Sequence, residues 1–223
     1  MYAHGEGTDP VNLNALIDHT ILKATATRAD VARLCDEAIE HGFASVCVNT
    51  CWVPMVAERL AGSPVKTCCV VGFPLGAMAT DPKAYEARWA VEAGADEVDM
   101  VLNVGWLLEG DDDAVRNDIA AVVEASQGRC VKVILETCYL DDEQIERACL
   151  LSVEAGAAFV KTSTGFGTGG ATVHDVALMR ATVGDAAKVK ASGGIHTAEE
   201  AAAMVEAGAD RIGTSSGIAI VSE

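Results

Sequence analysis

Two lysines stand at matching places near the ends of consecutive strand-like runs: Lys161 in Phe159-Val-Lys-Thr-Ser-Thr-Gly165 and Lys190 in Lys188-Val-Lys-Ala-Ser-Gly-Gly194. An amine attacks a carbonyl only when it is uncharged, and a second ammonium close by disfavours its protonation. The pair therefore points to Schiff-base chemistry. A free lysine titrates near 10.4, and poising it near neutrality costs on the order of 4 kcal/mol, which one close ammonium plus partial burial can supply.

The elements that position such a pair are written in an internal repeat. Four segments share an apolar helix end, a glycine and then a strand: Gly42 to Cys47, Gly94 to Asp99, Gly156 to Lys161 and Gly208 to Gly213, the last three preceded by Val-Glu-Ala. The glycines are 52, 62 and 52 residues apart, about twice a strand-helix unit, so each gap must hold one more strand. Val65 to Val71, Cys130 to Thr137 and Lys188 to Ser192 fill the gaps, and Ala15 to His19 adds an eighth. Thr27 and Asp30 predict a capping box before the stripe Val31, Leu34, Cys35, Ala38 and Ile39, which ends at Gly42. Asp81-Pro82 opens a helix that ends at Gly94, and Thr197 to Glu200 opens one that ends at Gly208.

Eight alternating units in 223 residues predict a single-domain α/β fold, a (β/α)8 TIM barrel over residues 1–223 with residues 1–12 as a polar lead-in. The competing fold is a doubly wound open sheet. It is disfavoured because no Gly-x-Gly-x-x-Gly turn follows the first strand; the glycine-rich run Gly165 to Gly170 follows the sixth.

In a barrel, chemistry sits at the carboxyl ends of the strands. The reading places Asp18, Cys47, Asp99, Glu136, Lys161 and Lys190 there. Any one of them could belong to a satisfied buried Lys-Asp pair, but several charges at one rim mark a catalytic pocket. Ser192-Gly193-Gly194 and Thr214-Ser215-Ser216-Gly217 follow strands seven and eight, where barrels frequently cradle a phosphate on backbone amides and the end of a short helix.

Composition limits the partners. A formal net charge of -17, from 33 acidic and 16 basic residues, opposes nucleic acid and anionic membranes. It also suits a protein that stays soluble in high salt. The first ten residues lack the basic and apolar runs of a secretion signal, and the apolar run Cys68 to Ala79 is too short to span a bilayer, which predicts a cytoplasmic chain. The eight cysteines read as reduced, buried thiols, with Cys68 and Cys69 on opposite faces of a strand, and the five histidines show no metal-ligand spacing. Trp52, Trp89 and Trp106 are expected in the core.

Taken in order, Asp18-His-Thr20, Val46-Cys47-Val48, Cys69-Val-Val-Gly72-Phe-Pro74-Leu-Gly76, Glu97-Val-Asp99-Met-Val, Val131-Lys-Val-Ile-Leu-Glu136-Thr, Val160-Lys161-Thr-Ser-Thr-Gly165 and Val189-Lys190-Ala-Ser-Gly193-Gly194 resemble the deoxyribose-phosphate aldolase family from about Leu16 to Gly217. The resemblance implies a metal-independent class I aldolase, without cofactor, that reversibly splits 2-deoxy-D-ribose 5-phosphate into acetaldehyde and D-glyceraldehyde 3-phosphate. By that likeness Lys161 forms the imine, Lys190 is the neighbouring cation that favours its neutral form, and Asp99 relays protons with a water. Asp18 and Thr20 line the sugar pocket, Cys47 sits near the imine or is a packed thiol, and Thr164, Gly165, Gly193, Gly194, Ser215 and Ser216 complete substrate binding. Barrels of this kind often form dimers or larger assemblies, so a homo-oligomer is expected.

Two departures stand out. Many relatives carry arginine where this chain has His196, which implies weaker or more pH-dependent phosphate binding. Some end in a tail with a terminal tyrosine, whereas this chain stops at Val221-Ser222-Glu223, so tail-assisted proton transfer is not expected. The alternatives are a metal-dependent aldolase, another Schiff-base barrel with a different aldehyde or keto substrate, and a barrel that only binds a sugar phosphate.

Overall fold

The repeated glycines mark the turns from helix to strand. Gly42 takes φ +66° and caps the first helix, its N–H donating to Ala38 and Ile39, while Gly94, Gly156 and Gly208 take φ of +112°, +88° and +110°. Side chains adopt that region only under strain, so a glycine ends each helix and aims the next strand. The computed structural model describes residues 12–222; all of the lead-in but Asn12, together with Glu223, lies outside them.

Eight strands are described: β1 (Ile17–Ile21), β2 (Ser45–Asn49), β3 (Lys66–Val71), β4 (Glu97–Val101), β5 (Cys130–Ile134), β6 (Phe159–Lys161), β7 (Lys188–Ser192) and β8 (Arg211–Thr214). All pair in parallel in chain order, and β1 closes on β8. The sheet is thus the closed barrel and not the open alternative. The helices are α1 (Arg28–His41), α2 (Val53–Leu60), α3 (Thr80–Glu92), α4 (Val104–Glu109), α5 (Asp112–Ala125), α6 (Asp142–Glu154), α7 (Val173–Val183), α8 (Ala198–Glu206) and α9 (Gly217–Ser222). The extra short helix α4 accounts for the longer middle spacing of the glycines. Capping boxes start α1 at Thr27 and α8 at Thr197. None of the described helices is long and apolar enough to cross a membrane.

The main hydrophobic core lies between sheet and helices, from Val31 and Leu34 on α1 round to Ala201 and Met204 on α8. Ile39, expected in that stripe, is instead exposed, because the α1 surface facing the sheet is already filled by Val31, Leu34, Cys35 and Ala38. The tryptophans depart from expectation too. Trp52 and Trp106 are half-buried against the core and Trp89 is exposed on α3, positions that suit large rings with a polar N–H.

The inside of the barrel is different. Among the described residues, Cys47, Cys68 and Val70 form a small apolar cluster there, with Leu22 and Phe73 against them. Strand pairing and side-chain contacts stack the inward residues in layers of four from alternate strands. Ser45, Glu97, Phe159 and Arg211 form the layer at the amino end, with the Arg211 guanidinium 5.9 Å and the Lys132 ammonium 5.7 Å from the Phe159 ring centre. Asp18, Cys68, Lys132 and Lys190 lie above, and Cys47, Asp99, Lys161 and the bare Gly213 above those. Cys69 points to the helices while Cys68 points inward, as strand alternation requires.

Candidate active site

Asp99 is the hub. One carboxylate oxygen accepts from Lys132 at 2.9 Å, and the other accepts from Lys161 and Lys190, both at 2.8 Å. The two predicted amines therefore lie within twice 2.8 Å of each other, bridged by a shared carboxylate that the two-cation reading lacked. Burial opposes the charge on Asp99, but Lys132, Lys161 and Lys190 outweigh it and hold its carboxyl well below the usual range. Burial likewise opposes the charge on Lys190, and Asp18 and Asp99 together push its pKa above that of an ordinary lysine.

The strand-end placement needs correction. Only Lys161 ends its strand; Asp18, Cys47, Asp99 and Lys190 lie within theirs, and Glu136 follows β5 by two residues. Asp18 does not line a pocket. It is fully buried, 2.5 Å from the Lys190 ammonium in an ion pair and accepting from Ser45 at 2.6 Å and from Arg211. Burial alone would raise its pKa, yet Lys190, Lys132 and Arg211 lower it. Cys47 is also fully buried, beneath the floor; the neighbouring Cys68 thiol lowers its pKa against the effect of burial.

Above this cluster opens a cavity of about 460 Å³ with Lys161 at its floor. Thr20, Thr164, Gly165, Gly193, Gly194 and Ser215 line it as predicted positions, joined by Lys23, Ser192 and His196. Gly193 and Gly194 take φ of +85° and +76°. Glycine takes that region without strain, and Gly170 lets the neighbouring loop pack closely, since a Cβ at Gly170 would stand 2.3 Å from the Gly193 carbonyl oxygen. Ser216 faces a neighbouring cavity beside His19 and Glu37, with its hydroxyl 3.2 Å from the His196 Nδ1. Glu136 clamps the loop after β6: its carboxylate accepts from the Thr164 N–H at 3.1 Å and from the Thr164 hydroxyl.

Five participants have no role in the sequence reading, Glu97 among them. Lys132 and Arg211 bridge Asp99 and Asp18 to Glu97, and Cys68 donates to Asp99 at 3.3 Å. The signal for Lys132 and Arg211 was a basic residue inside an apolar strand run, two residues or a layer away from a recognised charge. Gly213 is the fifth: a Cβ there would meet the Lys190 Cε at 2.9 Å, so the missing side chain lets Lys190 reach Asp99. Cys47, Cys68 and Asp99 have ligand-type atoms within 4.8 Å of one another, but three ammonium groups already surround Asp99 and repel a dication.

A closed (β/α)8 barrel with a lysine-carboxylate cluster under a cavity at the carboxyl ends of its strands has the build of a barrel enzyme. The model of the DeoC/LacD family aldolases matches residues 13–223. Deoxyribose-phosphate aldolase of Finegoldia magna is 60% identical over 211 residues, spanning 95% of this chain and 99% of the relative, and that of Bacillus cereus is 59% identical over 212 residues, spanning 95% of both. The solved deoxyribose phosphate aldolase from Aeropyrum pernix, described as tetrameric, superposes with a TM-score of 0.88 at 36% identity, covering 94% of this chain and 89% of that one. The chain belongs to the DeoC/LacD family of aldolases.

Proposed function

We propose that this aldolase reversibly cleaves 2-deoxy-D-ribose 5-phosphate to acetaldehyde and D-glyceraldehyde 3-phosphate, with Lys161 as the imine-forming amine. The observation that carries the reading is the cavity itself, which is lined both by Lys161 at the end of β6 and by Gly193, Gly194 and Ser215 in the loops after β7 and β8. A chain with an aldehyde carbon at one end and a phosphate at the other matches that division.

In the cleavage direction Lys161 Nζ adds to the open-chain aldehyde and water leaves, giving a protonated imine. The C2–C3 bond then breaks; its electrons move into the enamine as the C3 hydroxyl gives up its proton. Protonation at C2 and hydrolysis release acetaldehyde and free the lysine. Asp99, held as a carboxylate, is the acceptor available beside Lys161, directly or through a water. Lys190 keeps a positive charge next to it. Thr20 and Thr164 add hydroxyls to the cavity lining, and His196 lines it beside the loops after β7 and β8. No step calls on a metal or cofactor.

Acetaldehyde with borohydride, followed by mass spectrometry, is expected to modify Lys161. Lys161→Ala should lose the adduct and lower turnover by roughly 10⁴-fold or more, the scale of losing an essential nucleophile. An undiminished adduct in that variant rejects the assignment. A cytoplasmic homo-oligomer is part of the same reading, supported by the tetrameric Aeropyrum pernix relative; light scattering at the mass of one chain would remove that part.

A further inference from the structure

The charges inside the barrel close a ring. Asp99 pairs with Lys132, Lys132 with Glu97, Glu97 with Arg211, Arg211 with Asp18, Asp18 with Lys190, and Lys190 with Asp99 again. Three cations alternate with three carboxylates, so the ring is neutral by itself. Lys161 hangs from Asp99 as the odd cation; when protonated it leaves the buried cluster one positive charge in excess. The remaining titratable groups facing Asp99 are the thiols of Cys47 and Cys68, and Glu136 is engaged with the loop after β6.

Glu97 and Arg211 lie two layers below Lys161, remote from the cavity, and their side chains are only 8% and 15% exposed. Polar groups at the amino end of a barrel ordinarily serve stability. Here they complete a charge circuit whose other side is the reactive site. We propose that Glu97 and Arg211 are positioning residues that set the charge balance at Asp99, and through it the pH at which Lys161 becomes reactive. The inference rests on the Schiff-base reading of Lys161.

The two halves of one ion pair must then act in opposite directions. Glu97→Gln leaves the ring positive, makes a further charge on Lys161 costlier, and moves the pH of half-maximal acetaldehyde trapping downward. Arg211→Met leaves the ring negative, compensates that charge, and moves the midpoint upward. At a separation of two layers each shift is expected to be about one pH unit. Arg211→Lys keeps the charge and should return the wild-type midpoint.

The experiment is borohydride trapping of acetaldehyde on the full chain from pH 5 to 10, read by mass spectrometry on variants shown by circular dichroism to be folded. Shifts of opposite sign support the proposal. Unmoved midpoints, or shifts of the same sign, overturn it, because a purely structural pair lowers the folded fraction without separating the profiles. If Arg211→Met does not fold, the near-isosteric Glu97→Gln decides alone, and a midpoint equal to wild type overturns the proposal. Wild-type protein that traps no acetaldehyde at any pH defeats the aldolase reading itself, a different result from trapping with unmoved midpoints.

Discussion

Two buried lysines of this protein, Lys83 and Lys161, both donate to an aspartate, and their surroundings differ in every other respect. Lys83 on α3 is fully buried; its three N–H groups are taken by Asp118 at 2.6 Å, the Gly76 carbonyl at 2.8 Å and the Val101 carbonyl at 3.1 Å. One cation meets one carboxylate, and no donor is left over. Lys161 has a single acceptor among the described residues, shares that oxygen with Lys190, and faces a cavity. Full satisfaction fixes Lys83 as a fastener between helices and loops. An incompletely satisfied amine at a cavity floor is what a nucleophile requires, since it must shed its proton and exchange its partner for substrate.

The comparison breaks most sharply at Lys83→Met. Removing the cation strands Asp118 in a site that is 1% exposed, and the expected loss is about 3–5 kcal/mol of stability in urea unfolding, with acetaldehyde trapping retained by the molecules that stay folded. Unchanged stability, or trapping lost while the fold persists, would erase the distinction. Gly213→Ala works on the other side. Its Cβ displaces Lys190 from Asp99, with an expected cost of about 1–3 kcal/mol from overpacking and a fall in turnover approaching 100-fold for a displacement near 1 Å. Wild-type turnover in that variant would show that Lys190 has room to spare.

Acid sharpens the contrast more gently. Asp18 and Asp99 titrate below their unfolded values in the folded state, so their contribution to stability is complete above the unfolded value of about 3.9 and drains away as pH falls below it through the folded values. The urea midpoint should therefore begin a decline near pH 4 that continues downward. A flat midpoint from pH 5 to pH 3 would contradict the ion pairing drawn for the ring.

The barrel was legible because its evidence is local and repeated: a glycine at each helix end, a strand after it, and a second strand in every gap. Lys161, Lys190 and Asp99 were legible because charged side chains sit near the ends of otherwise apolar strands. Lys132 stood in plain view in Cys130-Val-Lys-Val-Ile, yet nothing in that segment tells which residue it meets across the barrel. Such partners depend on how far neighbouring strands slide past each other, which no single strand encodes. The same ignorance put Asp18 at a strand end when it lies a layer deeper, and hid Gly213, whose contribution is a side chain it does not have.

Phe159, with Arg211 against its ring, stoppers the barrel at its amino end. Traffic is thereby confined to one doorway. If the proposed reaction holds, both fragments must use that doorway, and the two-carbon piece stays tethered to Lys161 until water cuts it loose, so the phosphorylated piece has the passage to itself first.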